Sequence, residues 1–183
     1  MPTRREQRDR TRLLLLETTV DCLVEYGYAG TSTQRIQQRA GVSRGALLHH
    51  FRSKSDLLAA AIGYLAELQL TGIKEAAPAT SADRLAAVRA AMSGPAFQAG
   101  LELWIAARTD PALREALLPS QRRIGAAVRE LLAPEFADQP PETARVAHES
   151  LLMLLRGLAL SSTLRDDPAL ADAVLDLWLT RLH

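Results

Sequence analysis

The 183-residue chain is 48% hydrophobic, 23% charged and only 4% aromatic, which is ordinary folded-protein usage and excludes a disordered chain. Its single cysteine, Cys22, excludes an internal disulfide scaffold. The net charge of +1 hides an asymmetry: residues 1–56 carry ten Arg or Lys against six Asp or Glu, so this part is +4 and the remainder −3. A basic end on a mildly acidic body points to a polyanionic partner for that end.

A basic start followed by Leu13–Leu16 invites a secretory reading, but Glu17 and Asp21 interrupt the apolar run too early for one. Leu151–Leu164 contains Arg156 and falls short of the roughly 20 apolar residues that a membrane span needs. A cytoplasmic chain is expected.

No strand-like alternation persists, and about nine helices are expected from the helical spacing of apolar residues. The first covers about Arg5–Tyr26, with an inner stripe of Leu13, Leu16, Val20, Leu23 and Val24, and ends at Gly27. Thr31 and Gln34 fit a reciprocal capping box for a short helix ending at Ala40–Gly41. Ser43 caps a second short helix to about His50, and Ser53 opens a longer one, Lys54 to about Leu70.

A loop is expected over Lys74–Ser81, followed by helices near Asp83–Met92 and Ala96–Arg108. Asp110-Pro111 starts another, which Pro119 should kink or break before Leu132. After a connection over Pro134–Pro141, two last helices cover about Glu142–Leu164 and Pro168 to the end, the latter opened by Asp166-Asp167-Pro168.

Thr31–Phe51 is the informative segment. Two helices of about eight residues joined at Gly41-Val42 have helix-turn-helix proportions. If Ile36, Ala40, Val42, Leu47 and Phe51 face inward, then Arg44, Gly45, Leu48 and His49 form an outward stripe that fits a major groove. Arg44 can donate two hydrogen bonds to guanine O6 and N7, and Leu48 can meet a thymine methyl. Gly45 lets the backbone approach DNA closely, at a helix cost of about 1 kcal/mol. Thr33, His49, His50 and Lys54 suit phosphates, which set register without reading sequence. Ser43, at the start of the reading helix, completes the DNA-facing set. Taken singly, each of these is an ordinary surface residue; the joint pattern is the signal.

The run Tyr28-Ala29-Gly30-Thr31-Ser32-Thr33, Ile36, Ala40-Gly41-Val42-Ser43-Arg44-Gly45-Ala46-Leu47 and His50-Phe51-Arg52-Ser53-Lys54-Ser55-Asp56-Leu57-Leu58 resembles the N-terminal domain of tetracycline-repressor (TetR) family regulators. The resemblance covers roughly residues 10 to 65. It implies an all-helical homodimer, a DNA-binding domain over 1–53 and a variable ligand-binding and dimerisation domain over 54–183. It also implies release from a palindromic operator by a small-molecule effector, with no other cofactor. By position it makes Thr33, Arg44, His49, His50 and Lys54 DNA contacts. The chain departs from the family where Leu48 and His49 stand in place of a frequent tyrosine: leucine cannot hydrogen-bond a phosphate, which leaves His49 as the available donor.

The last two helices are apolar almost all round, more than one core-facing stripe requires, so a four-helix dimer interface is expected, with Gly157, Ala159 and Ser161 permitting close approach. A ligand pocket is expected among Met92, Phe97, Leu101, Trp104, Arg108, His148 and Met153, although such stripes often serve only as core. No HExxH, P-loop, GxGxxG or GxSxG motif points to an enzyme. The alternative is an architectural DNA binder or helical ligand carrier without operator-specific regulation.

Overall fold

A computed structural model describes residues 3–75, 80–165 and 167–180. Residues 76–79 of the expected loop, Asp166 of the expected cap and Leu182 lie outside the described residues. Nine α-helices follow in chain order: α1 Arg4–Gly30, α2 Thr33–Ala40, α3 Arg44–His50, α4 Lys54–Glu75, α5 Ser81–Ala91, α6 Pro95–Ala106, α7 Pro111–Leu132, α8 Pro141–Ser161 and α9 Pro168–Thr180. A short 3-10 turn, Ala133–Phe136, follows α7, and no strand occurs among the described residues.

Local chemistry sets most boundaries. Ser43 accepts from the Ala46 N–H at 3.1 Å and Ser53 from Asp56 at 3.0 Å, satisfying donors that a helix start leaves free. Asp110 and Asp167 cap α7 and α9 in the same way. Gly41 ends α2 at φ +65°, a left-handed conformation that favours glycine.

Five details depart from the sequence reading. Gly27 also lies at φ +65°, but helical turns resume beyond it to Gly30, so it kinks α1 instead of ending it. The N-cap of α2 is Ser32, which accepts from Arg35 N–H; Thr31 is instead buried, its hydroxyl donating to the Gly27 carbonyl at 2.7 Å to close the kink. The inner face of α1 carries Leu15, Leu16, Thr19, Val20, Cys22 and Leu23, whereas Leu13 and Val24 are exposed. With apolar residues at every position from 13 to 16, the helix phase was ambiguous until a partner surface fixed it. Pro119 sits within one continuous α7, and α4 extends to Glu75, past the expected end near Leu70.

The core has three clusters. One knits Leu15, Ile36, Leu47, Phe51, Leu57 and Ala61 into the helix-turn-helix. A second joins Val20 and Leu23 of α1 and Ile62 and Leu65 of α4 to Leu103 and Leu117 of the body. The third fills the body with Val88, Phe97, Val128, Leu132, Leu151, Leu155 and Leu175. Because α4 serves both of the first two clusters, the reading helices and the body share a backbone element.

Candidate functional site

Within the helix-turn-helix, Ile36, Leu47 and Phe51 are 0%, 1% and 2% exposed, and Ala40 and Val42 pack partly buried against them. That packing fixes the rotation of α3 and turns Arg44, Gly45, Leu48 and His49 to solvent, Leu48 being 48% exposed. Helix geometry puts 45 and 49 on the side of α3 away from Leu47 and 48 beside them, while Arg44, in the first turn, is exposed at the edge of that face.

Thr33, Arg44, Leu48 and Lys54 line one concavity of about 440 Å³ between α2, α3 and the start of α4, together with Gln34, Gln37 and Ser53. Ser43, Gly45, His49 and His50 stand outside it: Ser43 is occupied as the cap of α3, and the two imidazoles meet edge-on at 5.4 Å at its far end. The half-buried His50 is held below the usual histidine range by burial first, then by His49, Arg8 and Arg12. Arg12 lies over the Phe51 ring at 5.4 Å. The first turns of α1 thus bring two arginines to the end of α3, an adjacency the sequence spacing did not reveal.

Among the module's cations, Arg5 and Arg8 lie within 4.0 Å of Asp9 in the exposed first turns of α1, and those nearer the helix-turn-helix divide into two groups. Arg39 is paired with Asp21 and Glu25, and Arg35 donates to the Gly30 carbonyl while lying over Tyr26. Arg44, Arg52 and Lys54 form no ion pair among the described residues; Lys54 Nζ sits 5.2 Å from the Tyr28 ring centre. Free cations around an exposed helix are what a polyanion needs, because paired ones would first have to be released.

In the body, a small, partly open cavity of about 30 Å³ is lined by Met92, Phe97, Leu101 and Trp104 of the expected set, and by Gln69, Gln121 and Arg156. The other three expected residues lie elsewhere. Arg108 is exposed and borders an open depression beside Trp104. His148 is buried with Nε2 unpartnered but lines none of the cavities described, and Met153 is 66% exposed on the outer face of α8. Arg156 was the missed residue; a charge inside the apolar run 151–164 was the available signal.

No helix among the described residues is long and apolar enough to cross a membrane, and they contain no metal-binding cluster of His, Cys, Asp or Glu. A capped helix pair with an inward core and an exposed basic face, mounted on a larger helical body, defines a helix-turn-helix protein. The family model described as bacterial regulatory proteins, tetR family, matches residues 15–61. The HTH-type transcriptional regulator BetI of Paraburkholderia phymatum is 31% identical over 180 residues, covering 93% of this chain and 90% of BetI. The chain therefore belongs to the TetR family of bacterial regulatory proteins.

An uncharacterised HTH-type transcriptional regulator of Mycobacterium tuberculosis is 36% identical over 121 residues, a match spanning 63% of this chain and 62% of that relative's length. Among solved structures, a transcriptional regulator from Rhodococcus sp. Rha1 shares the fold with a TM-score of 0.76 at 24% identity, covering 93% of this chain and 95% of the other. The multidrug binding protein EbrR, complexed with imidazole, is 25% identical with a TM-score of 0.63, over 100% of this chain and 96% of its own.

Proposed function

We propose that the chain is a dimeric, cytoplasmic repressor that leaves a palindromic operator when a small-molecule effector enters its body, with no further cofactor. The observation that carries this reading is the division of α3: Leu47 is hidden while Arg44, Gly45, Leu48 and His49 face outward beside unpaired cations. Residues 1–53 form the reading unit and 54–183 the regulatory unit. Arg44 reads guanine, Leu48 meets a thymine methyl, and Gly45 lets the helix seat deeply. Thr33, Ser43, His49, His50 and Lys54 hold phosphates, joined by Arg8 and Arg12 from α1.

Dimerisation through α8 and α9 is supported by the spacing of their exposed apolar residues. Val146, Met153 and Leu160 on α8, and Leu170 and Leu177 on α9, recur every seven residues and are all about half exposed or more. A seven-residue repeat keeps one apolar seam on one side of a helix, which suits a second helix pair. The exposed Gly157 would add no bulk there; a Cβ at this position would meet nothing within 4 Å. Such a dimer presents two reading helices to half-sites about 34 Å apart.

Coupling runs through Tyr28. Its N–H donates to Glu102 Oε2 at 3.2 Å and its hydroxyl to Asp110 Oδ2 at 3.3 Å, while its ring lies beneath Lys54. Glu102 and the cavity residue Trp104 are on the same helix, so displacement of α6 by an effector pulls on the joint that positions α1 and the start of α4. The similarity to EbrR, named as a multidrug binding protein, supports a small organic molecule as effector.

Selection of a palindrome from a random duplex pool, followed by affinity measurement on the selected and random DNA at one salt concentration, tests the reading. Preference of at least about 1000-fold is expected of an operator binder. Equal affinity would leave an architectural binder instead.

A further inference from the structure

Arg156 is the anomaly of the body. It lines the small, partly open cavity from α8, with its Nε buried and unpartnered, and makes no ion pair or hydrogen bond among the described residues. Its guanidinium lies 4.4 Å from the centre of the Trp104 ring. Stacking satisfies the flat face of a guanidinium but leaves Nε, which is shielded from water, without an acceptor, and a half-buried charge without a partner is costly. Burial lowers its proton affinity and nearby Glu149 opposes this, yet Glu149 pairs with Arg129 at 3.7 Å and not with Arg156.

The surroundings match one class of guest. Phe97, Leu101, Ile124 and Leu152 make an apolar wall, and Gln69 and Gln121 are the only uncharged polar side chains in the lining. A Cβ at Gly100, also in the lining, would meet nothing within 4 Å, so the wall is not filled there. Trp104 and Gln121 border both this cavity and the open depression of about 400 Å³ that carries Arg108 and Arg114. Those two arginines are exposed and form no ion pair among the described residues. A swing of the Trp104 ring would join the depression to the cavity, and it must: about 30 Å³ holds little more than a water, whereas a benzene-sized guest needs about 150 Å³. Larger clefts flank α9, but Arg89, which borders both, is already paired with Asp172, and Arg165, which borders one of them, is exposed to solvent.

We propose that the effector is a small apolar carboxylate: it enters past Trp104 from the Arg108–Arg114 depression, and its carboxylate takes the free N–H edge of Arg156 while its apolar body lies against Phe97 and Leu101. A guanidinium edge offers two parallel donors, the geometry that a carboxylate accepts. This inference rests on the effector-binding reading of the body and specifies its chemistry.

The test uses the full chain and needs no DNA. Calorimetric titration and thermal melts are run with benzoate and 1-naphthoate, and with benzamide, 1-naphthamide and benzylamine as neutral and cationic counterparts. The carboxylates are expected to raise the melting temperature and to bind at least about tenfold tighter than their amides, the discrimination of one charge-assisted pair. Arg156→Met should abolish that preference while melting at the same temperature or higher without ligand, because it removes a half-buried charge that has no partner. Arg156→Lys should retain part of the preference. Amides or benzylamine binding as well as the carboxylates, carboxylates binding Arg156→Met undiminished, or no carboxylate binding at all would each overturn the proposal. Operator release is measured separately: carboxylate binding that leaves DNA affinity unchanged supports the site while refuting its role as the regulatory switch.

Discussion

The division of labour between Arg44 and Lys54 gives the sharpest test of the DNA interface. Arg44 is exposed and forms no ion pair among the described residues, so Arg44→Ala should change the stability of the free protein by no more than about 0.5 kcal/mol, as is typical of surface changes. On operator DNA, loss of a bidentate guanine contact costs about 1–3 kcal/mol per half-site. A dimer carries the change twice, so the operator complex should weaken by about 2–6 kcal/mol, or roughly 30-fold to more than 10,000-fold. Random duplex should lose far less.

Lys54→Ala behaves differently. Its loss should weaken operator and random DNA alike, and the slope of log affinity against log salt should become shallower by about 0.9 for each copy, or roughly 2 per dimer. Fluorescence anisotropy with a selected palindrome and a random duplex, each at several salt concentrations, measures both quantities. Equal losses for Arg44→Ala on the two duplexes would refute base reading by this residue. An unchanged salt slope for Lys54→Ala would remove it from the phosphate contacts.

Other predictions concern assembly, coupling and pH. Met153→Asp, and independently Leu177→Asp, should convert the dimer to monomer in light scattering, because each buries an unpaired carboxylate at a cost of about 3 kcal/mol or more; an unchanged mass would place the interface elsewhere. Tyr28→Phe keeps the ring beneath Lys54 but removes the hydroxyl bond to Asp110, so effector-driven release should weaken while affinity without effector changes little. Gly41→Ala should lower stability by about 1–2 kcal/mol from backbone strain alone, since a Cβ there meets nothing within 4 Å. His148 is buried and its proton affinity is lowered, chiefly by burial, so the unfolded chain binds this proton more readily than the folded one. Its contribution to stability is therefore present above the unfolded value of about 6.5 and is lost as pH falls below it, and His148→Gln should flatten that part of the denaturation profile. For His50, whose proton affinity is lowered first by burial and then by nearby cations, a phosphate contact would raise it, so operator binding should tighten as pH falls and His50→Gln should remove the trend.

The helix-turn-helix and the outward face of α3 were legible in the sequence because their information is local. Gly41 demands a left-handed turn, Ser43 caps the next helix, and the spacing of Ile36, Leu47 and Phe51 forces the complementary face outward whatever the remaining chain does. Helix periodicity likewise predicted the all-helical class. Only the tertiary structure decided matters that depend on residues far apart in the chain. The apolar run 13–16 permitted several rotations of α1, and contact with α2 and α4 selected the one that buries Leu15 and exposes Leu13. Ile36 could be placed inside from its own helix, but Met153 could not be placed outside α8 until α7 and α9 covered the opposite face. Arg156 looked like an interruption in an apolar segment; its meaning came from Trp104, 52 positions earlier, which packing sets against its guanidinium. Spacing along a helix fixes which side chains share a face, whereas the direction in which that face points is set by the surface it packs against.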